Sequence, residues 1–293
     1  GNFDGVHLGH QAILRHLRQK ANALNLPMAV MLFEPQPREY FMGDKAPARL
    51  MRLRDKLHYL AQAGVDVVIV AKFDRTFADL PAEKFIEDWL VRKLNVKFLS
   101  IGDDFKFGAK RLGNFAMLQQ AGKQFGFEVE DSRTFCLDEL RISSTAIREA
   151  LAKDDLQHAQ NLLGKPYRIF GRVIHGNKLG RTIGFPTANV RLHRQVNPVK
   201  GVYAVKVRLK SGEIFNGVAN MGKRPTINGT IQLLEVHLFD FSQTIYGQMV
   251  EVEFCHKIRD EIKFPSFEAL KAQIEQDVKT AKAFFFNRNK YEN

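Results

Sequence analysis

The sequence has little of what marks an extracellular or membrane-spanning protein. Its 293 residues include two cysteines, Cys136 and Cys255, so we expect neither a disulfide framework nor a cysteine-based zinc site. No stretch approaches the roughly 18 to 20 consecutive apolar residues that span a bilayer. The first ten residues lack the basic start and apolar run of a secretory signal. These absences favour a soluble cytoplasmic protein.

Apolar residues make up 45% of the chain, which is too many for a disordered protein. The length is near the upper limit of one core, so two domains are expected. The net charge of +12 is uneven: residues 1–163 hold 23 basic and 21 acidic side chains, whereas residues 164–293 hold 21 and 11. A basic half attracts phosphates of nucleotides or nucleic acids, although it can also be a solvated surface.

Two periodicities divide the chain. Up to about residue 160, helical spacing alternates with unbroken apolar runs such as 28–33 and 66–71, which predicts an α/β domain with a doubly wound parallel sheet. Beyond residues 164–166, apolar and polar side chains alternate, which predicts an antiparallel β-barrel or sandwich. A helix with apolar positions over 267–285 follows. We place the domains at 1–163 and 164–293.

The chain begins in the loop that would follow the first strand of a doubly wound domain, and its first residue is not Met. We therefore expect that strand to belong to a preceding segment.

The segment Gly5-Val6-His7-Leu8-Gly9-His10 leads directly into a predicted helix. A helix N-terminus offers N–H groups and a positive dipole end, and Gly9 lets a phosphate approach the backbone. His7 and His10 could hold a triphosphate and stabilise charge as its α-phosphate is attacked. Two histidines three residues apart also occur by chance. A zinc site is less favoured because the HExxH spacing is absent.

A second segment, RISSTAIR over residues 141–148, begins another predicted helix. Ser143, Ser144 or Thr145 can cap it, and Arg148 one turn later suits phosphate oxygens, although an ordinary capped helix has the same features. Together the two segments resemble the HxGH nucleotidyltransferase superfamily, whose signatures are HxGH and ISSTxxR. The flanking GNFDGVHLGHQ resembles the FMN adenylyltransferase module of bacterial FAD synthetases.

This resemblance implies two kinds of site residue. The residues implied to stabilise the transferred phosphate are His7, His10 and Arg148, and those implied to bind the nucleotide are Gly5, Gly9, Ser144 and Thr145. Residues 101–108 resemble the module's flavin-site loop, where some members carry Asn at the position of Asp104. Residues 33–37 resemble its FxPxP segment.

The second half has its own glycine-rich loop, residues 176–184, followed by FPTANV. Backbone N–H groups of such a loop can wrap a polyphosphate, although it matches no generic phosphate-binding motif. Thr187 and Asn189 point to one side of an extended chain, and their oxygens suit Mg²⁺; a turn capped by polar side chains fits equally well. The candidate nucleotide-binding residues are Gly176, Gly180 and Arg181.

Glu235 is the candidate general base. It lies opposite Leu234 and Val236 on its predicted strand, so it faces either the barrel interior or solvent, and most carboxylates at such positions are simply solvated. The PTAN segment, with residues 222–226, 234–241 and 257–264, resembles the riboflavin kinase domain. That resemblance implies that Thr187 and Asn189 hold Mg²⁺, that Glu235 takes the proton of the ribityl 5′-hydroxyl, and that Arg259 lies near the flavin.

The order of the two modules is that of the bacterial bifunctional FAD synthetases. It implies an enzyme that phosphorylates riboflavin to FMN and adenylylates FMN to FAD, with ATP as co-substrate, Mg²⁺ as cofactor, and no nucleic-acid or membrane partner. The oligomeric state is left open. One alternative is another HxGH nucleotidyltransferase fused to an unrelated barrel. The other is a basic nucleic-acid-binding module, which the lack of an exposed aromatic stripe disfavours.

Overall fold

The structure is a computed structural model that describes residues 1–102, 104–132, 142–176, 184–192, 196–226 and 229–291. The chain forms two compact units, residues 1–47 with 52–143 and residues 48–51 with 144–293. The domain boundary after residue 163 stays a prediction. Among the described residues, no helix combines the length and the apolar character needed to cross a membrane.

The first unit alternates helices with parallel strands. Strands β1 (Ala29–Glu34) and β2 (Val67–Lys72) form one parallel pair, and β3 (Phe98–Ile101) and β4 (Glu128–Asp131) form another. The helices are α1 (Leu8–Ala23), α2 (Pro37–Met42), α3 (Leu53–Gln62), α4 (Arg75–Ala78), α5 (Ala82–Lys84, continued as a π-helix over Phe85–Lys93) and α6 (Phe115–Phe125). Short 3₁₀ turns cover Gly43–Lys45 and Ala109–Arg111. The predicted α/β class with parallel strands is confirmed.

Helix α6 shows how local sequence sets the element bounds. The Asn114 side chain accepts a hydrogen bond from Met117 N at 3.0 Å, which caps the N-terminus. Gly126 ends the helix in the left-handed conformation that glycine adopts without strain. Between these caps, Leu118 and Ala121 face a core with Phe85. These two caps set the bounds of the helix at Phe115 and Phe125.

The second unit contains a closed antiparallel barrel. Its strands, in the order β10–β5–β6–β9–β8–β7, are β5 (Arg168–Ile174), β6 (Ala188–Arg191), β7 (Gly201–Arg208), β8 (Ile214–Thr226), β9 (Gly229–Leu238) and β10 (Met249–Arg259). Val205, Leu234 and Val252 are fully buried, as the period-2 alternation predicts. Closure confirms the barrel among the two predicted antiparallel architectures.

The described part of this unit also contains the helices α7 (Ser144–Ala152), α8 (Leu156–Leu163) and α9 (Phe267–Tyr291). Ala281 and Phe285 of α9 pack on the barrel with Val202 and Val218, which confirms the predicted terminal helix. Asp154, between α7 and α8, accepts hydrogen bonds from the barrel side chains Tyr203 (2.5 Å) and Lys257 (2.9 Å).

Candidate active sites

The two histidines of the first motif lie at the start of α1. His7 is the N-cap of the helix, and its Nδ1 accepts a hydrogen bond from the backbone N–H of His10 at 3.3 Å. The imidazole rings stack with centroids 3.6 Å apart. Because His7 Nδ1 accepts, its proton is on Nε2 when the ring is neutral. The structure thus places both rings at the positive end of the helix dipole.

The loop before these histidines has an unusual backbone. Phe3, Gly5 and Val6 all have positive φ, of 45°, 90° and 40°, a region that glycine adopts readily and other residues rarely. Lys56 of α3, which is 2% exposed, donates from Nζ to Asn2 O at 2.5 Å. The loop is therefore held by a buried cation that our sequence reasoning missed. The available signal was the position of Lys56 one helical turn before the apolar Leu60, which places both side chains on the same, buried face of α3.

Gly9 lies against the backbone of Ile142 within the first unit. A Cβ atom at Gly9 would lie 3.2 Å from His7 Nδ1 and 3.3 Å from the carbonyl oxygen of Ile142. Ile142 is the first residue of the ISST segment, and its carbonyl group approaches the start of α1. A side chain at Gly9 would disturb this approach.

The remaining adenylylation candidates lie on α7 in the second unit. Ser144 and Thr145 are in its first turn, and Arg148 is one turn further. Arg148 Nε donates to the carbonyl oxygen of Ala48 at 2.5 Å, which fixes the base of its guanidinium group. The helix start is where the sequence predicts it, whereas the nucleotide roles of these residues stay predictions.

Asp104 follows β3, at the carboxyl end of a parallel strand. Ligands of parallel sheets bind at this edge. Phe105 N donates to Gly102 O at 3.0 Å, which makes a turn, and the Phe105 and Phe107 rings stack at 5.7 Å. Both rings belong to the core that also contains Phe85, so this core anchors the turn that carries Asp104. The flavin contact of Asp104 stays a prediction.

The glycine-rich loop of the second unit begins against Asn189. The side chain of Asn189 is 6% exposed, and a Cβ atom at Gly176 would lie 2.6 Å from its Cγ and 2.9 Å from its Oδ1. Real Cβ atoms do not approach other atoms so closely, so glycine at 176 is what allows Asn189 its position. Gly180 and Arg181 lie outside the described residues.

Glu235 lies directly between two asparagines in the barrel register. It pairs with Asn189 of β6 on one side and with Asn220 of β8 on the other. Its neighbours Leu234 and Val236 are 0% and 1% exposed inside the barrel, so Glu235 and both asparagines share the outer face. Glu235 is half-buried there. The structure therefore decides between the two faces left open by the sequence and places the candidate base beside a candidate metal ligand.

A cavity of about 350 Å³ opens next to Thr187. The rings of Tyr246 and His175 stack near it with centroids 3.9 Å apart, and His237 Nδ1 lies 2.9 Å from Pro186 O. Its lining includes Val173, Pro186, Thr187, Val236, Phe241 and Tyr246. Sequence reasoning identified Thr187 but not residues 242–246, because the cavity depends on how strand ends meet.

Arg259 is tied to the terminal helix. Its Nε and Nη2 donate to Asp277 at 2.9 Å and 2.7 Å, and Asp277 is 3% exposed. The guanidinium carbon lies 5.6 Å from the centre of the Phe264 ring. This bidentate pair joins the end of β10 to α9, and no sequence pattern predicts Asp277 as the partner of Arg259. The proximity of Arg259 to a flavin stays a prediction.

These features define a class of protein: an HxGH nucleotide-binding α/β unit followed by a six-stranded barrel with a PTAN loop. A FAD synthetase family model matches residues 1–146 and a riboflavin kinase family model matches residues 163–285. The chain belongs to the family of bifunctional riboflavin kinase/FMN adenylyltransferases.

Its relatives cover nearly the whole chain. The bifunctional riboflavin kinase/FMN adenylyltransferase of Haemophilus influenzae is 84% identical over 285 residues, 97% of this chain and 92% of that protein. The Escherichia coli K12 protein of the same description is 57% identical, with 97% and 91% coverage. A crystal structure described as a macrolide-efflux protein from Streptococcus pneumoniae has a TM-score of 0.75 and 33% identity, covering 94% of this chain and 90% of its own.

Proposed function

We propose that the chain makes FAD from riboflavin in two ATP-dependent reactions at two separate sites. The barrel phosphorylates riboflavin to FMN, and the α/β unit transfers AMP from a second ATP to FMN with release of pyrophosphate. Family membership over both segments supports the pair of reactions. The placement of Glu235 beside Asn189, itself packed on Gly176, is the observation that carries the kinase site.

In the kinase reaction, Glu235 acts as general base. The 5′-hydroxyl oxygen of riboflavin attacks the γ-phosphorus of ATP, its proton passes to the Glu235 carboxylate, and the bond to the ADP oxygen breaks. Such a reaction depends on positioning and charge neutralisation. A half-buried carboxylate on a rigid strand meets the first need because the barrel fixes its location.

Thr187 and Asn189 are proposed to hold Mg²⁺. Their neutral oxygens suit a cation that takes few protein ligands and fills its shell with water and phosphate. Among the described residues, no group of three or more His, Cys, Asp or Glu could hold a metal ion, which is consistent with a site that relies on substrate phosphates. When bound, Mg²⁺ neutralises charge on the phosphates, while Gly176 keeps Asn189 in place.

The cavity beside Thr187 is proposed to receive the base of ATP. Its volume of about 350 Å³ falls at the lower end of the range for small-ligand sites, roughly 300 to 1,000 Å³. The lining of the cavity includes aromatic and aliphatic side chains, which would contact the adenine ring. It also includes hydroxyl groups such as that of Thr187, which would form hydrogen bonds with it. The loop beginning at Gly176 would then enclose the phosphates.

In the adenylylation reaction, the phosphate of FMN attacks the α-phosphorus of ATP and pyrophosphate leaves. A phosphate monoester is mostly dianionic at neutral pH because its second pKa is about 6, so no general base is required. His7 and His10 at the α1 N-terminus stabilise the negative charge of the transition state. The resemblance assigns Ser144, Thr145 and Arg148 to the same phosphates.

The proposed partners are riboflavin, FMN and ATP, without nucleic acid or membrane. We place the enzyme in the cytoplasm because both reactions consume ATP.

The test is to incubate the protein with riboflavin, ATP and Mg²⁺ and to separate the flavins by chromatography. We expect FMN to appear first and FAD to follow, and we expect a chelator of divalent cations to stop both. Riboflavin that stays unconverted would contradict the kinase assignment. FMN that accumulates without FAD would contradict the adenylyltransferase assignment.

A further inference from the structure

The outer face of the barrel holds a buried hydrogen-bond acceptor that the proposed mechanism does not use. Asn220 Oδ1 has almost no accessible surface and receives no hydrogen bond from any described residue. Most buried amide oxygens in proteins have a partner. An acceptor left unsatisfied beside a candidate active site therefore indicates where a ligand donor would bind.

The register places this acceptor next to the candidate base. Asn220 of β8 is the direct partner of Glu235 of β9, and both project from the outer face because Ala219 and Met221, each 1% exposed, project inward. Side chains opposite each other in an antiparallel pair have Cβ atoms about 4.5 to 5.5 Å apart. On its other side Asn220 pairs with Val202, part of the apolar surface under α9.

The amide of Asn220 has a carboxylate in its surroundings. Its Nδ2 lies 3.3 Å from the point where a Cβ of Gly222 would be, and Glu261 Oε1 approaches that same point. Among the described residues, Oδ1 is the atom of this amide that is buried without a hydrogen-bond partner.

We propose that Asn220 Oδ1 accepts a hydrogen bond from a secondary hydroxyl of the polyol chain of riboflavin, and so selects the phosphate acceptor. This inference rests on the proposed kinase function of the barrel. The Cβ atoms of directly opposite residues are about 5 Å apart. With the 5′-hydroxyl at Glu235, the neighbouring acceptor therefore favours the hydroxyls one or two carbons further, on C4′ or C3′, over the more distant one on C2′.

The experiment compares riboflavin with its 4′-deoxy, 3′-deoxy and 2′-deoxy analogues as kinase substrates, for the wild type and for Asn220→Ala. The wild type should prefer riboflavin over the 4′-deoxy or the 3′-deoxy analogue by about tenfold in kcat/KM, since a buried acceptor is left unpaired when that hydroxyl is absent. Asn220→Ala should lose this preference. A ratio of two substrates is independent of the amount of folded enzyme.

Two control variants and an internal control accompany the comparison of riboflavin with its deoxy analogues. Asn220→Leu preserves the side-chain size and should lose the same preference, whereas Asn216→Ala, on the same strand and face, should retain it. Conversion of FMN to FAD by Asn220→Ala should equal that of the wild type, because Asn220 lies outside the residues assigned to adenylylation.

Retention of the wild-type preference by Asn220→Ala, or a wild type without preference for either hydroxyl, would overturn the inference. A preference that Asn220→Ala loses for the 2′-hydroxyl alone would overturn it too. Glu235→Gln separates these results from failure of the proposed function. If that variant still phosphorylates riboflavin at the wild-type rate, the kinase site itself is wrongly placed.

Discussion

The histidine motif of the first unit and the Asn189–Glu235 pair of the barrel are assembled in different ways. His7, Gly9 and His10 lie within four consecutive residues at one helix start, and their geometry follows from the cap and the first turn. Asn189 and Glu235 are separated by 46 positions and meet only through the register of β6 and β9. A motif on one helical turn can be recognised in the sequence, whereas a pair of residues that meets across strands can be recognised only when the strand pairing is known.

The largest effect should come from Glu235→Gln. The substitution keeps the shape but removes the proton acceptor, and general base catalysis contributes about 10² to 10⁴-fold. We expect FMN formation from riboflavin to fall by about 10³-fold, while FAD formation from added FMN stays at the wild-type rate. Chromatography of both reactions with one protein sample measures this. Parallel loss of both activities would show that the two sites are not independent.

His10→Ala in the first unit should have the opposite effect to Glu235→Gln, with loss of adenylylation and retention of kinase activity. Removing one preorganised group that stabilises transition-state charge lowers a rate by about 10² to 10³-fold, so adenylylation of FMN should fall by that amount. Riboflavin phosphorylation should be unaffected and serves as the control. Unchanged adenylylation would contradict the role given to the imidazole.

Gly176→Ala tests how the barrel site is held together. The added methyl group would overlap Asn189, so we expect riboflavin kinase activity to fall by about 10-fold or more, since a displacement of about 1 Å can cost 10²-fold. A higher Mg²⁺ requirement should accompany the loss.

The double variant Gly176→Ala/Asn189→Ala tests whether the loss of activity in Gly176→Ala comes from the displacement of Asn189. Because Gly176→Ala is proposed to act through Asn189, it should add little to Asn189→Ala, and the two effects should be strongly non-additive. Effects that simply multiply would show that Gly176 has a separate role.

Local sequence predicts the elements well and the cross-strand site incompletely. The period-2 alternation is set by neighbouring residues, so the barrel strands lie in the half of the chain where we expect them. The caps of α6 are local in the same way. The face of Glu235 depends on the closure of the barrel. The pairing of Arg259 with Asp277 and the burial of Lys56 join elements far apart in sequence, and periodicity contains no information about such partners.

The smallest effect concerns α7, the helix on which Arg148 lies. The hydroxyl of Tyr203, a fully buried barrel residue, donates to Asp154 in the connection between α7 and α8. Burial together with this carboxylate raises the pKa of Tyr203, so the phenol stays protonated and donates throughout the working pH range. Tyr203→Phe should lower the free energy of unfolding by about 1 to 2 kcal/mol, because a hydrogen bond to a charged group is lost.

The lysine contact distinguishes this bond from a general packing effect. Lys257 also donates to Asp154, at 2.9 Å, so Asp154 keeps a partner in Tyr203→Phe, whereas Asp154→Ala removes the acceptor from both donors. Urea denaturation should therefore rank Asp154→Ala as less stable than Tyr203→Phe, with the wild type most stable. Adenylylation should decline in the same order if α7 depends on this attachment, while equal stability of all three proteins would show that the contact does not hold the helix.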